Sequence, residues 1–157
     1  MPRRNITIHQ KVDGRKESEM REALYRGRRV DNKQWVYGFY FNVAFVDGSK
    51  RHFILPLEAD ASRNKTLGEV QVEVDGETVG QFAGLKDKNK TMIYEGDKML
   101  ITTEDGVFIY QVVFRDGEEN EHFMSGFSFQ LIEDVREKHI NSDENYYEVI
   151  GNIHEVK

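Results

Sequence analysis

Acidic side chains are the most numerous groups in this chain that could perform acid–base chemistry. Three carboxylate pairs have residue types that could serve acid–base work: Glu95 with Asp97, Glu104 with Asp105, and Glu133 with Asp134. In a chain of 157 residues with 28 acidic side chains, such pairs arise by chance. Asp97 follows Gly96, where we expect its carboxylate to accept hydrogen bonds from turn amides. We therefore predict structural roles for these pairs and no catalytic residue.

Metal, nucleophile and nucleotide chemistry is not supported by residue spacing. The five histidines, which form no His-x-His or His-Glu-x-x-His pattern, are His9, His52, His122, His139 and His154. The chain has no cysteine, which excludes disulfides and thiolate ligands. Neither a Gly-x-Ser-x-Gly turn nor a phosphate-binding glycine loop occurs. We predict no metal, no cofactor and no enzymatic activity.

Basic side chains next to aromatic rings suggest a different chemistry. Lys86, Lys88 and Lys90 alternate along a predicted turn beside Phe82 and Tyr94. Such a patch could hold a phosphate backbone while a ring stacks on a base. Lysines at a hairpin tip also keep a loop soluble and discourage edge pairing, and this simpler interpretation is the one we favour.

Charge is distributed unevenly along the chain. Residues 1–34 carry ten basic and five acidic side chains (+5), and residues 35–157 carry twelve and twenty-three (−11), which gives −6 in total. A basic start, which includes Arg26, Arg28 and Arg29, could contact phosphate or an acidic partner. Because the acidic remainder repels polyanions, we favour a solvated leader.

The elements that position these groups are predicted to be strands. Trp35, Tyr37, Phe39 and Phe41 alternate with other residues, so that on a strand they share one face. Asp47-Gly48 then provides a turn between two apolar runs, which is typical of a hairpin.

Other strands are predicted over residues 69–74, 98–103 and 107–114, which end at the turns Asp75-Gly76, Asp105-Gly106 and Asp116-Gly117, and over 146–155. Helices are expected over residues 62–67 and 130–139, where Leu131, Ile132 and Val135 form one apolar stripe. The expected fold is mainly β, a small barrel-like core of short antiparallel strands with one or two short helices. No apolar run is long enough to span a membrane, and no export signal is present, so we expect a cytoplasmic protein without membrane contact.

Four segments, in order, resemble the YopX family. They are Met20–Gly27 with Asp31 and Trp35–Gly38, then Thr78–Lys88, Ile93–Asp97 and Val149–Glu155. The resemblance implies a β-rich domain over residues 20–157, preceded by a basic leader at 1–19 that is either an added arm or lies before an alternative start at Met20. Asn89-Lys90 replaces the family's common Asn-Gly turn, and lysine resists positive φ there, which favours a longer loop.

What the resemblance implies about function is limited. Family members are small proteins encoded by phages and prophages, mainly β with a barrel core, and their molecular role is not established. The host compartment would be the bacterial cytoplasm. The family provides no catalytic residues to carry over.

The residues of the resemblance have two interpretations. Gly38, Gly80, Gly84, Gly96 and Gly151 could mark strand bends or close backbone approaches, with Trp35, Tyr37, Phe82 and Tyr94 filling the core. Alternatively, a binding surface uses the candidate residues Arg26, Trp35, Tyr37, Lys86, Lys88 and Tyr94. Core rings should be inaccessible, whereas rings of a binding groove should meet at the surface.

The leading expectation for function is a non-enzymatic β module that binds a host or phage protein or forms a homo-oligomer, because short strands leave edges that can pair. The alternative is a nucleic-acid-binding module that uses the basic leader and the Lys86–Lys90 loop.

Overall fold

The computed structural model describes residues 23–58, 65–115, 126–135 and 146–155. These described residues form ten strands: β1 Tyr25–Arg28, β2 Trp35–Ala44, β3 Lys50–Pro56, β4 Val72–Val74, β5 Gly80–Lys86, β6 Met92–Tyr94, β7 Asp97–Thr103, β8 Gly106–Arg115, β9 Gly126–Asp134 and β10 Tyr146–Asn152. Helix α1 spans Leu67–Val70, and a 3₁₀ turn spans Gly76–Thr78. The prediction of a mainly β fold of short antiparallel strands with little helix is confirmed.

The chain forms two compact units, an N-terminal unit over Arg21–Phe82 and a C-terminal unit that contains Ala83–Lys157. In the N-terminal unit the strand order is β4-β3-β2-β1, followed by the first residues of β5. In the C-terminal unit a four-stranded sheet has the order β10-β7-β8-β9, and the last residues of β5 pair with β6. The predicted leader at residues 1–19 lies outside the described residues.

The β2–β3 hairpin forms as its alternating pattern predicts. Phe45 and Ser49 close the turn through a 2.8 Å backbone hydrogen bond, and Gly48 adopts a positive φ of 83°. The Asp47 carboxylate accepts hydrogen bonds from the Ser49 backbone (2.9 Å) and hydroxyl (2.6 Å). The hydrogen bond from the hydroxyl is the main reason that the pKa of Asp47 lies below its ordinary value, and the backbone hydrogen bond lowers it further.

Glycine at position 38 is required by a close approach between β2 and β3. A Cβ atom there would lie 1.9 Å from the Leu55 carbonyl oxygen, which belongs to the partner strand. No side chain fits at that distance, so the two backbones approach only because residue 38 has none.

The sheet of the N-terminal unit curls back on itself. An antiparallel bridge joins Arg29 to Val74, and Val30 donates a 3.1 Å hydrogen bond to the Glu73 carbonyl, so β4 returns to the end of β1. A Cβ at Gly27 would lie 3.0 Å from Val74, so this strand also approaches closely. Ile54 and Val74 are buried on the inner face of the curl.

The C-terminal unit has an apolar core between its strands. Ile93, Met99, Ile101 and Val112 are buried there, and the partly buried rings packed against them are Tyr110, Phe127, Phe129 and Tyr147. Burial of these side chains stabilises the unit by an amount in proportion to the apolar area removed from water.

Two local predictions are wrong in part. Residues 130–134, predicted as helix, belong to β9, because pairing of β9 with β8 overrides the short apolar stripe; residues 136–139 lie outside the described part. Glu69 and Val70, predicted as strand, belong to α1, because the Thr66 backbone and hydroxyl donate to the Glu69 carboxylate at 2.6 and 2.8 Å and cap that helix. Helix α1 begins at Leu67, the last residue of the expected helix 62–67, and residues 62–64 are not described.

The described residues include no helix that is both long and apolar enough to cross a bilayer.

Candidate functional site

Four candidate side chains share the outer face of the N-terminal sheet, opposite Ile54 and Val74. Arg26 pairs with Tyr37 and Arg28 pairs with Trp35 in the β1–β2 ladder. Directly opposite residues of an antiparallel pair point to the same side of the sheet, and alternation adds every second residue along each strand. Arg26, Arg28, Trp35 and Tyr37 therefore lie together.

Trp35 is flanked by two guanidinium groups. The guanidinium carbon of Arg26 lies 4.8 Å from the centre of the indole ring, and that of Arg28 lies 5.9 Å away. Both distances allow attraction between the cation and the electron-rich ring face. Arg26 is only 7% exposed, and Arg28 Nε also donates to the Lys33 carbonyl at 3.0 Å. The cluster of Arg26, Arg28 and Trp35 is held in place by the protein itself.

The neighbouring Arg29 is engaged in a separate pair. Its Nε and Nη2 donate to Asp31 at 2.9 and 2.6 Å. This side-chain hydrogen bonding lowers the pKa of Asp31 and raises the pKa of Arg29. Arg29 therefore contributes little net positive charge to the surface.

Beyond Trp35, the outer face is a row of apolar side chains from β2. Tyr37 is 43% exposed and Phe39 is 39% exposed. Phe41 stacks on Phe53 of β3 with 5.4 Å between ring centres. Val43 continues the same alternating row and is exposed. We call Tyr37, Phe39, Phe41 and Val43 the aromatic row.

Arg51 lies at the far end of this row. Its guanidinium carbon is 5.4 Å from the centre of the Phe53 ring, and its Nε donates to Glu73 at 2.7 Å. A second contact joins Arg51 Nη2 to the same carboxylate. These hydrogen bonds lower the pKa of Glu73 and raise that of Arg51.

The lysine loop is in the C-terminal unit and contains residues 87–91. Asp87 N donates to the Thr91 carbonyl, and Lys90 N donates to the Asp87 carbonyl, both at 2.9 Å. Lys90 has a φ of 66°, so it occupies the left-handed position of a three-residue hairpin loop. The longer loop expected from Asn89-Lys90 is confirmed, although lysine does adopt positive φ.

Glu148 of β10 neutralises much of the charge on this loop. Its carboxylate lies 2.6 Å from Lys88 Nζ and accepts a hydrogen bond from Asn89 Nδ2 at 3.1 Å. Lys86, at the end of β5, is exposed.

Asp87 anchors the loop to the edge of β10. One of its carboxylate oxygens accepts from the backbone N–H groups of Asn89 and Thr91, both at 2.8 Å, and the other from Val149 at 3.0 Å. Desolvation is the largest single influence and raises the pKa of Asp87, but the hydrogen bonds from Val149, Thr91 and Asn89 together outweigh it. The pKa of Asp87 therefore lies below its ordinary value.

Tyr94 and Asp97 lie in the interior of the C-terminal unit. Tyr94 is 3% exposed, and its backbone N–H donates to Asp97 Oδ2 at 2.8 Å. Asn152 Nδ2 donates to the other oxygen of Asp97 at 3.3 Å. The expectation that Asp97 bonds turn amides is confirmed.

The six predicted binding residues are thus divided between the units. Arg26, Trp35 and Tyr37 belong to the N-terminal unit, and Lys86, Lys88 and Tyr94 belong to the C-terminal unit. Sequence reasoning named Arg28 only as part of the basic start of the chain and not among these six residues, although its alternation with Arg26 was a signal. It also missed Asp87, for which an aspartate directly after a strand and two residues before an asparagine was the only hint.

Metal chemistry finds no support in the described ranges, where no three His, Asp or Glu side chains are placed to hold an ion.

The strand pairs of both units run antiparallel, which places the molecule among the antiparallel β proteins. The chain belongs to the YopX family, because the family model described as YopX protein matches residues 24–156. The chain is also similar in fold to a solved structure titled "Crystal structure of protein EF1440 from Enterococcus faecalis", with 20% sequence identity and a TM-score of 0.45. That match covers 84% of this chain and 93% of the other. No curated protein matches the chain.

Proposed function

We propose that this protein is a non-enzymatic binding module of phage or prophage origin that acts in the bacterial cytoplasm. Its outer face, formed by the aromatic row and the Arg26–Arg28–Trp35 cluster, docks on a host or phage protein. The observation that carries the proposal is the open row of Tyr37, Phe39 and Val43 on one side of β2. Apolar side chains that remain accessible together are typical of protein interaction surfaces.

The chemistry of this face indicates what kind of partner would fit. Among the described strand residues that point outward in β1–β4, the charged ones are Arg26, Arg28, Arg51 and Glu73, three positive and one negative. This is a locally basic surface on a chain with a net charge of −6. Charge complementarity then favours a partner segment with apolar residues and neighbouring carboxylates.

Preorganisation also supports binding by this face. The Arg26 and Arg28 side chains are already held against Trp35, and Phe41 is held against Phe53. A partner therefore meets side chains that lose little further rotational freedom on docking. Aromatic and arginine side chains are also those that most often contribute large shares of interface energy.

A nucleic-acid-binding role is less well supported. Lys88 forms an ion pair with Glu148, and Asn89 donates to the same carboxylate. Phosphate binding would have to compete with that carboxylate, and the acidic chain as a whole repels polyanions.

Affinity capture from host lysate tests the proposal with matched variants. The tested variant carries Tyr37→Ser and Phe39→Ser, and the control carries Asn42→Ser, an exposed change on the opposite face of the same strand. We expect the parent and the control to recover the same protein, and the double variant to recover at least about tenfold less of it, a loss of about 1.4 kcal/mol or more.

Equal recovery by the double variant and the parent contradicts the proposal.

Fluorescence anisotropy with labelled single- and double-stranded DNA provides the second arm. Binding to DNA that weakens steeply with salt would replace protein docking with the nucleic-acid alternative.

A further inference from the structure

The backbone of Arg28 is held from the side of β1 that faces away from β2. Arg29 N donates to the Gln34 carbonyl at 2.9 Å, so these two residues form a hydrogen-bonded pair, and the next pair, Arg28 with Trp35, is a non-hydrogen-bonded one. In such a pair the backbone N–H and C=O groups point away from the partner strand, while the side chains lie closer together. The pairing therefore brings the Arg28 side chain near Trp35 but leaves the Arg28 backbone groups to other partners.

Those partners belong to the 3₁₀ turn Gly76–Thr78 and the residue before it. Arg28 N donates to the Thr78 hydroxyl at 2.8 Å, and Asp75 N donates to the Arg28 carbonyl at 2.8 Å. The Thr78 hydroxyl in turn donates to the Asp75 carbonyl at 2.7 Å. A hydroxyl can accept and donate at once, and this one does both to tie β1 to the turn.

The Thr78 hydroxyl takes the place of a strand carbonyl. On this side of β1, β5 pairs with Tyr25 and Arg26, and β4 meets the chain again at Arg29. Among the described residues, Arg28 lies between these two pairings, where the turn supplies its hydrogen bonds instead of a strand.

The turn itself is packed in place. A Cβ at Gly76 would lie 2.6 Å from the His52 ring, so the turn lies directly against β3. His52 Nδ1 shares a 2.7 Å hydrogen bond with the Tyr40 hydroxyl, and Thr78 is only 8% exposed. The acceptor that Arg28 N meets is therefore fixed by the surrounding structure.

We infer that Thr78 is a positioning residue of the docking surface. Its hydroxyl holds β1 at Arg28, so that the Arg28 guanidinium stays 5.9 Å from the centre of the Trp35 ring. Arg28 is the more exposed of the two arginines beside that ring, so a docking partner would meet it first. The positioning of Arg28 stands on this geometry alone, whereas its importance for docking rests on the proposed function.

Quenching of tryptophan fluorescence tests the positioning. Trp35 is the only tryptophan in the chain, so the emission reports on this cluster alone. Iodide is an anion that positive charge concentrates nearby, whereas acrylamide is neutral. The ratio of the iodide to the acrylamide quenching constant therefore measures the positive charge held beside Trp35, and a general loosening of the fold would raise both constants together.

Thr78→Val removes the hydroxyl at nearly constant volume, Thr78→Ser keeps it, and Arg28→Gln shows the ratio without the charge. We expect Thr78→Val to lower the ratio by at least about half of the decrease that Arg28→Gln causes, because the Arg28 N–H loses its acceptor and β1 shifts there. Thr78→Ser should restore the parent ratio.

Thr103→Val is the matched control. It makes the same chemical change in the C-terminal unit, where the hydroxyl donates to the Gly106 carbonyl at 3.4 Å, and it should leave the ratio unchanged. A parent-like ratio in Thr78→Val or in Arg28→Gln overturns the inference, as does an equal decrease in Thr78→Ser or in the control. If circular dichroism shows that Thr78→Val does not fold, Thr78→Cys replaces it, because a thiol is a weak acceptor; a parent-like ratio there overturns the inference as well.

Capture from host lysate tests the consequence for docking. Thr78→Val should recover at least about threefold less of the partner than Thr78→Ser, and equal recovery overturns the docking role of Thr78. Failure of the proposed function would be seen separately, as equal recovery by the parent and the variant with Tyr37→Ser and Phe39→Ser. That result would leave the quenching ratios unchanged.

Discussion

A carboxylate can accept the backbone hydrogen bonds that a neighbouring strand would otherwise accept, and Asp87 does so at the edge of β10. It accepts hydrogen bonds from two amides of its own loop and from Val149 of the edge strand. A fourth contact, from Lys88 N to the Tyr147 carbonyl, extends this replacement along the edge. The Asp87 side chain therefore orders the lysine loop and pairs with a backbone N–H at the edge of β10.

Asp87→Asn should destabilise the C-terminal unit. The asparagine can present one oxygen to the loop amides, but its NH₂ group would face the Val149 N–H, so one buried donor loses its acceptor. We expect a loss of about 1–3 kcal/mol in the free energy of unfolding, measured by urea titration at pH 7. Glu104→Gln at the exposed β7–β8 turn is the control and should change stability by less than about 0.5 kcal/mol.

The stability difference between Asp87→Asn and the parent should also depend on pH. The pKa of Asp87 is depressed in the folded chain, so its carboxylate contributes stability above the ordinary pKa of about 3.9 and loses it as pH falls through the folded value. The difference in the free energy of unfolding between the parent and Asp87→Asn should therefore become smaller below about pH 4. A gap that stays constant down to pH 2 would show that the carboxylate charge has no part in holding the loop.

Gly38 is the position in the N-terminal unit where we expect an added side chain to be tolerated least. Gly38→Ala would place a Cβ 1.9 Å from the Leu55 carbonyl oxygen, so β2 and β3 would have to separate. We expect a loss of about 3 kcal/mol or more by urea unfolding, in the upper range for overpacking. Gly68→Ala, in helix α1 with its nearest neighbour atom at 3.8 Å, should be neutral or slightly stabilising; equal effects of the two changes would contradict the close approach.

Strands with a strong local signal are the ones that the sequence predicts well. The β2–β3 hairpin combines period-two alternation with an Asp-Gly turn, and both are local properties of the chain. For the same reason, the sequence placed Trp35, Tyr37, Phe39 and Phe41 on one face. Which strands lie beside β2 and in what register depends on contacts between distant residues, and no local pattern determines it.

Strand β9 shows the limit of periodicity. Leu131, Ile132 and Val135 suit one stripe of a helix, yet the described residues up to Asp134 pair with β8. So few apolar residues are compatible with a helix or with a strand, and the hydrogen bonds offered by a neighbouring strand decide which of the two forms.

Asn152 should control how firmly β10 is attached at its end. Its Nδ2 donates to the buried Asp97, and its Oδ1 accepts from the His154 backbone at 2.8 Å. Asn152→Ala removes both contacts and should cost about 1–3 kcal/mol. Hydrogen exchange should quicken in the β7–β10 ladder more than in β2–β3, whereas Asn42→Ala, an exposed change, should alter neither.

Across the chain as a whole, the charge asymmetry has a structural explanation in part. Two of the basic residues counted in the start of the chain, Arg26 and Arg28, belong to β1 and lie against Trp35. Arg29 pairs with Asp31. These side chains stabilise local structure, so the basic residues within 23–34 do not form an extended basic arm.

Half of the candidate site could be read from the sequence. Residue types suggested Arg26, Trp35 and Tyr37, but the contact between Arg26 and Trp35 arises from the pairing of β1 with β2, which the sequence does not specify. Lys88 was suggested by its neighbours, whereas its pairing with Glu148 joins residues 60 positions apart (148 − 88). Long-range ion pairs of this kind leave no local pattern.

Hydroxyl-radical footprinting of the free protein and of its captured complex tests most directly whether the aromatic row is the binding surface. Tyr37 and Phe114 are each 43% exposed, and Phe114 belongs to β8 of the C-terminal unit, so it is the internal control. We expect Tyr37 and Phe39 to be labelled in the free protein and protected in the complex, with Phe114 labelled equally in both. Unchanged labelling of Tyr37 and Phe39 in the complex would contradict the proposed docking surface.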